Sequence, residues 1–271
     1  MFRNSDITTK DILKSVRQIE IKTSRIVNSY FSGRYHSAFK GHGIEFDEVR
    51  KYTIGDDVRA MDWKVSARYN EPFIKRFREE RELNVIILAD FSASTDFGFT
   101  KTKHNLIIEV AALLSFSALK NNDKVGLLIF TDTVEKFIPL SKGRNHVLRI
   151  IRELIEFEPK NTKTDIANAL EYFNRIQSRG SVTFLITDIC SELPKKEIDI
   201  TKKRHDFIVC LVNDILEYEL PNIGGTLIMS DLENDDFVYF DMNSKLVKDK
   251  YLIEQNKIME DKLNFLKKNS V

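Results

Sequence analysis

Four continuous apolar runs of strand length are spaced along the chain, with helix-length segments between them. This rhythm limits the fold more than any other feature. The runs span residues 83–89, 124–130, 181–187 and 206–212. A strand that is apolar at every position, rather than at alternate ones, is buried on both faces, as the strands of parallel sheets are. The intervening residues 103–119, 144–157, 165–177 and 195–203 carry apolar positions at helical spacing. Residues 134–138 read as a short edge strand, 226–229 and 237–241 as later strands, and 244–267 as a final amphipathic helix. Strands alternating with helices predict an α/β fold with a doubly wound, mostly parallel, Rossmann-like sheet and right-handed crossovers.

The first part of the chain has another texture. Apolar residues Ile12, Val16, Ile19, Ile26 and Tyr30 fall at helical spacing and predict an N-terminal helix over residues 6–31, with Thr8 or Thr9 at its start. Short alternating segments then follow at 34–40 and 45–52, broken by Gly41-His42-Gly43 and Gly55-Asp56-Asp57. They predict a small, charge-dense β subdomain. The expected organisation is therefore residues 1–82 as helix plus β subdomain, and 83–271 as the main domain.

Composition excludes several classes. The 271 residues are 42% hydrophobic and 31% charged, and the formal net charge is +1, so no basic excess points to nucleic acid. Cys190 and Cys210 sit in or beside apolar runs and read as buried small hydrophobes. The five histidines stand at no metal-ligand spacing, which argues against zinc. The opening residues form no signal peptide and no apolar run reaches a membrane span, so a cytoplasmic protein without membrane insertion is expected.

Open α/β sheets bind ligands beyond the carboxyl ends of their strands. The first apolar run ends in Asp90-Phe91-Ser92-Ala93-Ser94, the third in Thr187-Asp188, and between them Thr164 immediately precedes a helix. Asp90, Ser92, Ser94, Thr164 and Asp188 thus bring oxygen donors to one edge, with no nitrogen or sulfur among them. Such a donor set suits Mg²⁺, with Mn²⁺ or Ca²⁺ as lesser choices. Ser92 and Ser94 alternate beyond the strand end, so both hydroxyls can turn into one pocket. Neutral hydroxyls leave the ion's charge uncancelled, and a coordination position remains for an acidic side chain of a partner. The competing reading makes the serines helix caps and Asp188 a surface turn residue.

Asp90-x-Ser92-x-Ser94, Thr164 before a helix and Asp188 after a strand resemble the metal-ion-dependent adhesion site of von Willebrand factor A domains, with Ala93 where many carry glycine. The segment Gly43-Ile44-Glu45-Phe46-Asp47-Glu48-Val49-Arg50, then Gly55-Asp56-Asp57-Val58-Arg59-Ala60-Met61-Asp62-Trp63-Lys64-Val65-Ser66-Ala67-Arg68, resembles the signature of the bacterial family called domain of unknown function fifty-eight. That resemblance implies a von Willebrand A-like, metal-binding protein that works with a MoxR-type AAA+ ATPase as adaptor or co-chaperone in maturing a client protein. Within the signature, Asp56, Asp57, Arg59, Asp62 and Arg68 are expected to form a local ion-pair network that locks the small sheet onto the main domain, the alternative being a contact surface for the ATPase or client, and Trp63 is expected to be a packing anchor. The chief rival is a Mg²⁺-dependent, phosphatase-like hydrolase with Asp90 as nucleophile, but the second aspartate such enzymes use is replaced by Ser92. No Gly-x-Ser-x-Gly elbow and no phosphate-binding Gly-x-x-x-x-Gly-Lys loop occurs. A non-enzymatic protein is expected, with a metal-free scaffold as the remaining alternative.

Overall fold

The computed structural model describes residues 17–19, 45–78, 82–98, 102–188, 193–217, 220, 223–230, 237–269 and 271. Of the helix expected over residues 6–31, residues 17–19 are described and are helical; the rest, with the segment 34–40 and Cys190, lies outside the described residues. The chain divides into a compact unit bounded by Gly33 and Leu83, and a larger one that includes Asn84–Val271.

In the smaller unit, β1 (Glu45–Lys51) pairs antiparallel with β2 (Phe73–Arg78), Arg50 opposite Ile74. The link between them is held by carboxylates. Asp56 receives both terminal nitrogens of Arg50 at 2.9 and 2.7 Å, and the backbone N–H and hydroxyl of Thr53 at 2.8 and 2.7 Å. The Arg50 guanidinium, with these donors, keeps the Asp56 carboxyl far below the usual carboxylate range. Asp57 caps the 3-10 turn Val58–Ala60. Asp62 caps α1 (Trp63–Tyr69) by accepting from the N–H groups of Lys64 and Val65, and Asn70 closes that helix in the left-handed conformation at φ 54°.

The helix α1 was not among the expected elements; seven residues carry too little periodicity to announce it. The expected ion-pair network is realised in part, by Arg50–Asp56 and by Lys75 at 3.7 Å from Asp62. Arg59 and Arg68 make no ion pair among the described residues, and Trp63 is 68% exposed, so it is not a packing anchor.

The larger unit is built on five strands in the order β5-β4-β3-β6-β7: β3 (Asn84–Asp90), β4 (Lys124–Phe130), β5 (Val134–Ser141), β6 (Val182–Thr187) and β7 (Asp206–Leu211). Neighbours are parallel except at the β4–β5 edge, as the pattern of apolar runs requires. Every residue of β3 and β4 after the first, and all of β6, is buried. Both sheet faces are therefore covered. Ile86, Leu88, Leu128, Phe130 and Leu185 pack with Ile166, Leu170 and Phe173 of α4 (Ile166–Ile176) and Ile198 of α5 (Lys195–Arg204). The other pair of helices, α2 (Lys103–Lys120) and α3 (Arg144–Glu156), pack against each other. Burial of this kind contributes roughly 1.5–3 kcal/mol for each large apolar side chain.

The later strands, β8 (Thr226–Ser230) and β9 (Phe237–Asp241), form a separate antiparallel hairpin rather than extending the main sheet. The last helix, α6 (Lys245–Lys268), begins at the cap Ser244 and sets Tyr251 edge-on to Phe240 at 5.4 Å. Its end is anchored within the chain, with Leu266 buried and Phe265 packed on the main core, while Leu246, Ile253, Ile258 and Leu263 remain exposed. Among the described residues, no helix is long and apolar enough to cross a membrane. Cys210 is only half-buried, which nonetheless pushes its thiol pKa up.

Candidate metal centre

The strand order places a topological switch at β3. The chain leaves β3 for β4 on one side and returns to β6 on the other, so the loops after β3 and β6 open a crevice between them. Asp90 and Thr187 are the last residues of these two strands.

Asp90 is fully buried. Its Oδ1 accepts from the backbone N–H and the hydroxyl of Ser92 at 3.0 and 2.7 Å, and its Oδ2 accepts from the Thr187 hydroxyl at 2.6 Å. The Ser92 hydroxyl oxygen lies 3.0 Å from that of Ser94. Ser92 stands at the N-cap position of the 3-10 turn Ala93–Asp96, yet its side chain makes no capping bond. The hydroxyl is turned to the carboxylate instead, so the capping alternative does not describe it.

Asp188 is buried too, contrary to a surface-turn role, and its Oδ2 accepts from the Lys103 ammonium at 2.6 Å. Lys103 is itself 3% exposed and donates a second time to Glu217 Oε1 at 2.5 Å. Thr164 is half-buried in the loop before α4. That loop is tied to the strand ends: the Ala93 N–H donates to the Thr162 carbonyl at 2.8 Å, and the Asp165 N–H to the Thr131 carbonyl at 3.0 Å. Glu135 on β5 clamps it further. Its Oε1 accepts from the Thr131 hydroxyl at 2.7 Å and the Asn161 N–H at 3.2 Å, and its Oε2 from the Lys160 N–H at 2.9 Å.

Asp90, Ser92 and Ser94 are thus joined in one hydrogen-bonded chain, Asp188 adjoins it through Thr187, and the Thr164 loop is bonded to Ala93. Burial raises the Asp90 pKa to about 6, and the neighbouring charge of Asp188 pushes in the same direction, against the Thr187 and Ser92 donors. Asp90 makes no ion pair among the described residues, and a buried carboxylate without a cation is costly. Among the described residues no three His, Cys, Asp or Glu side chains group closely enough to hold a metal ion. An ion here would draw on hydroxyls as well as carboxylates, and this all-oxygen donor set fits a hard divalent cation.

Sequence reasoning missed Lys103, Glu217, Thr187 and Glu135. Lys103 did carry a signal. It is the first residue of α2, where the helix dipole disfavours a cation. Thr187 is the polar residue that ends an apolar run.

Among proteins of known sequence, the uncharacterized protein Rv1480 of Mycobacterium tuberculosis (strain H37Rv) is 28% identical over 233 residues, covering 84% of this chain and 73% of that one. The uncharacterized protein YeaD of Bacillus subtilis is 32% identical over 113 residues, covering 42% of this chain and 26% of that one. Among solved structures, an aerotolerance-related membrane protein from Bacteroides fragilis matches with a TM-score of 0.46 at 17% identity, covering 64% of this chain and 88% of that one. The family described as Protein of unknown function DUF58 matches residues 48–260, and the chain belongs to it.

Proposed function

We propose that the larger unit is a von Willebrand A-like domain whose Asp90, Ser92, Ser94, Thr164 and Asp188 hold one divalent ion, Mg²⁺ first, as a docking point for another protein. The observation that carries this reading is the chain from Asp90 Oδ1 to Ser92 Oγ at 2.7 Å and on to Ser94 Oγ at 3.0 Å, at the switch point of a mostly parallel sheet. Hydroxyls and carboxylates supply hard ligands, and the ion would offset the charge of a buried carboxylate that has no counter-ion among the described residues. An acidic side chain of the partner completes the coordination. The partner class is a MoxR-type AAA+ ATPase, with the chain acting as adaptor or co-chaperone toward a client protein. Calorimetry with Mg²⁺ and Mn²⁺ on the wild type, S92A and D90A tests the ion. Saturable binding lost in both variants supports the reading, and no binding to the wild type overturns it. Retention of a MoxR-type ATPase on the immobilised chain, reversed by EDTA, tests the partner.

A second reading, a Mg²⁺-dependent phosphatase-like hydrolase, is favoured by one observation: a buried lysine, Lys103, paired with Asp188 near the buried Asp90. Against it, both oxygens of Asp90 are engaged by hydroxyls, and Ser92 stands where such chemistry uses a second acid. Hydrolysis of an aryl phosphate, lost in D90N, would favour this reading over the first.

A further inference from the structure

The smaller unit carries a surface that the ion-binding site does not use. Helix α1 is too short to persist alone, and the unit fixes it at several points. Asp62 caps its start and Asn70 its end, and the Ser66 hydroxyl accepts from the Phe73 N–H at 2.9 Å. Val65 and Ser66 turn inward, whereas Trp63, Lys64, Ala67 and Arg68 are exposed. Trp63 and Ala67 stand one turn apart, as do Lys64 and Arg68, so a large aromatic ring over a small residue lies beside a row of two cations. Trp63 is 68% exposed and Tyr69, the last residue of the helix, 63%.

The helix itself carries charge of one sign, Lys64 and Arg68, while Asp57 before it accepts from the Arg59 N–H. Asp56 is neutralised by Arg50, Asp62 by Lys75 and its capping bonds, and Glu71 pairs with Lys51. Lys64, Arg68 and the exposed Arg59 make no ion pair among the described residues. A pre-organised helix with a bare tryptophan and unpaired cations has the composition of an interface centre, where Trp, Tyr and Arg concentrate.

We propose that the outward face of α1 is a docking surface for an acidic segment of another protein, with Trp63 as apolar anchor and Lys64 and Arg68 receiving its carboxylates. Side chains at i and i+4 on a helix stand about 5–6 Å apart. Alternate side chains of an extended strand are about 6.6 Å apart, so Lys64 and Arg68 match two carboxylates that flank one residue of such a segment. The chain as a whole has a net charge of +1, which gives no long-range pull toward a polyphosphate backbone or an anionic bilayer. A local pair of cations beside an exposed tryptophan suits a short acidic peptide better. This surface is separate from the ion-binding reading and stands or falls independently of it.

Trp63 is the only tryptophan, so its emission reports directly on the surface. The experiment titrates the full chain with a peptide of alternating glutamate and leucine, in EDTA, following Trp63 emission. In parallel, anisotropy of the labelled peptide is followed for the wild type, W63A, K64Q/R68Q and K64E/R68E. The expected result is a saturable blue shift, weakened at about 1 M salt, with affinity lower by about tenfold or more in W63A and K64E/R68E. Because these side chains are exposed, melting temperatures stay at the wild-type value, which separates lost binding from lost folding. No saturable response, or equal affinity in K64E/R68E, overturns the proposal. A blue shift given by duplex DNA or by phosphatidylglycerol vesicles but not by the peptide overturns it as well, in favour of those ligands.

Discussion

The Lys103 ammonium stands 2.6 Å from Asp188 Oδ2 with both groups buried, so one of the acids expected to serve a divalent ion already has a cation beside it. Lys103 and Glu217 make this corner a charge cluster that links the start of α2, the end of β6 and the loop after β7. Lys103 pairs with Asp188 and Glu217, and Asp90 lies close enough to Asp188 to feel its charge, so three carboxylates share this region with one ammonium. A divalent ion would bring their sum to neutrality.

Replacing Lys103 by methionine leaves Asp188 buried without its partner. The expected loss is about 3–5 kcal/mol of folding stability in the absence of metal, read by urea unfolding. The same variant is expected to bind Mg²⁺ more tightly in calorimetry, because a positive charge has been taken from beside the ion. Unchanged stability would show that Asp188 is reached by water.

Asp90 gives the protein a stability that falls with rising pH. Its carboxyl keeps a proton in the folded state up to a pKa of about 6, against about 4 in the unfolded chain. The stability from neutral Asp90 is full below pH 4 and is lost between about pH 4 and pH 6. D90N stays neutral throughout. Metal-free D90N is therefore expected to exceed the wild type by about 1–3 kcal/mol at pH 7, the gap closing near pH 4, in denaturant titrations at both pH values. Saturating Mg²⁺ should narrow the gap by stabilising the wild type alone.

The hydroxyl of Thr187 donates to Asp90 Oδ2 at 2.6 Å. T187V keeps the volume and removes the donor, so about 1–3 kcal/mol is expected to be lost at pH 7, where the carboxylate is charged. The loss should shrink near pH 4. Equal loss at both pH values would assign it to packing.

Gly126 lies inside β4 where the β4–β5 register is irregular, and a Cβ there would stand 3.1 Å from the Ile138 carbonyl oxygen and 3.3 Å from the Leu140 nitrogen. G126A is expected to cost about 1–3 kcal/mol by pushing β5 outward, with hydrogen exchange faster along β5 than along β3. A stabilised variant would show that the edge strand shifts freely.

The main sheet was legible because its strands are apolar at every position and its helices are long enough for their period to show. The β8–β9 pair was legible as strands but not as a separate hairpin, since local pattern does not say which sheet a strand joins. Helix α1 was hidden by its length: what makes it is the Asp62 cap and the Asn70 turn, not a repeat of apolar residues. At the site, Asp90, Ser92 and Ser94 were legible because three residues close in sequence share one strand end. Lys103 and Glu217 were not, because Lys103 meets Asp188 across 85 residues of chain and Glu217 across 114. Trp63 misled because an aromatic residue between charges looks alike whether it packs inward or faces water.

The bond between Thr187 and Asp90 spans 97 residues, and β6 must pair with β3 before it can form. A growing chain that has emerged only through β5 holds its aspartate and both serines, yet has nothing to close around them. The oxygen cluster thus becomes complete only when the centre of the sheet is complete. The cluster therefore distinguishes a chain in which β3 and β6 have met from one in which they are still apart.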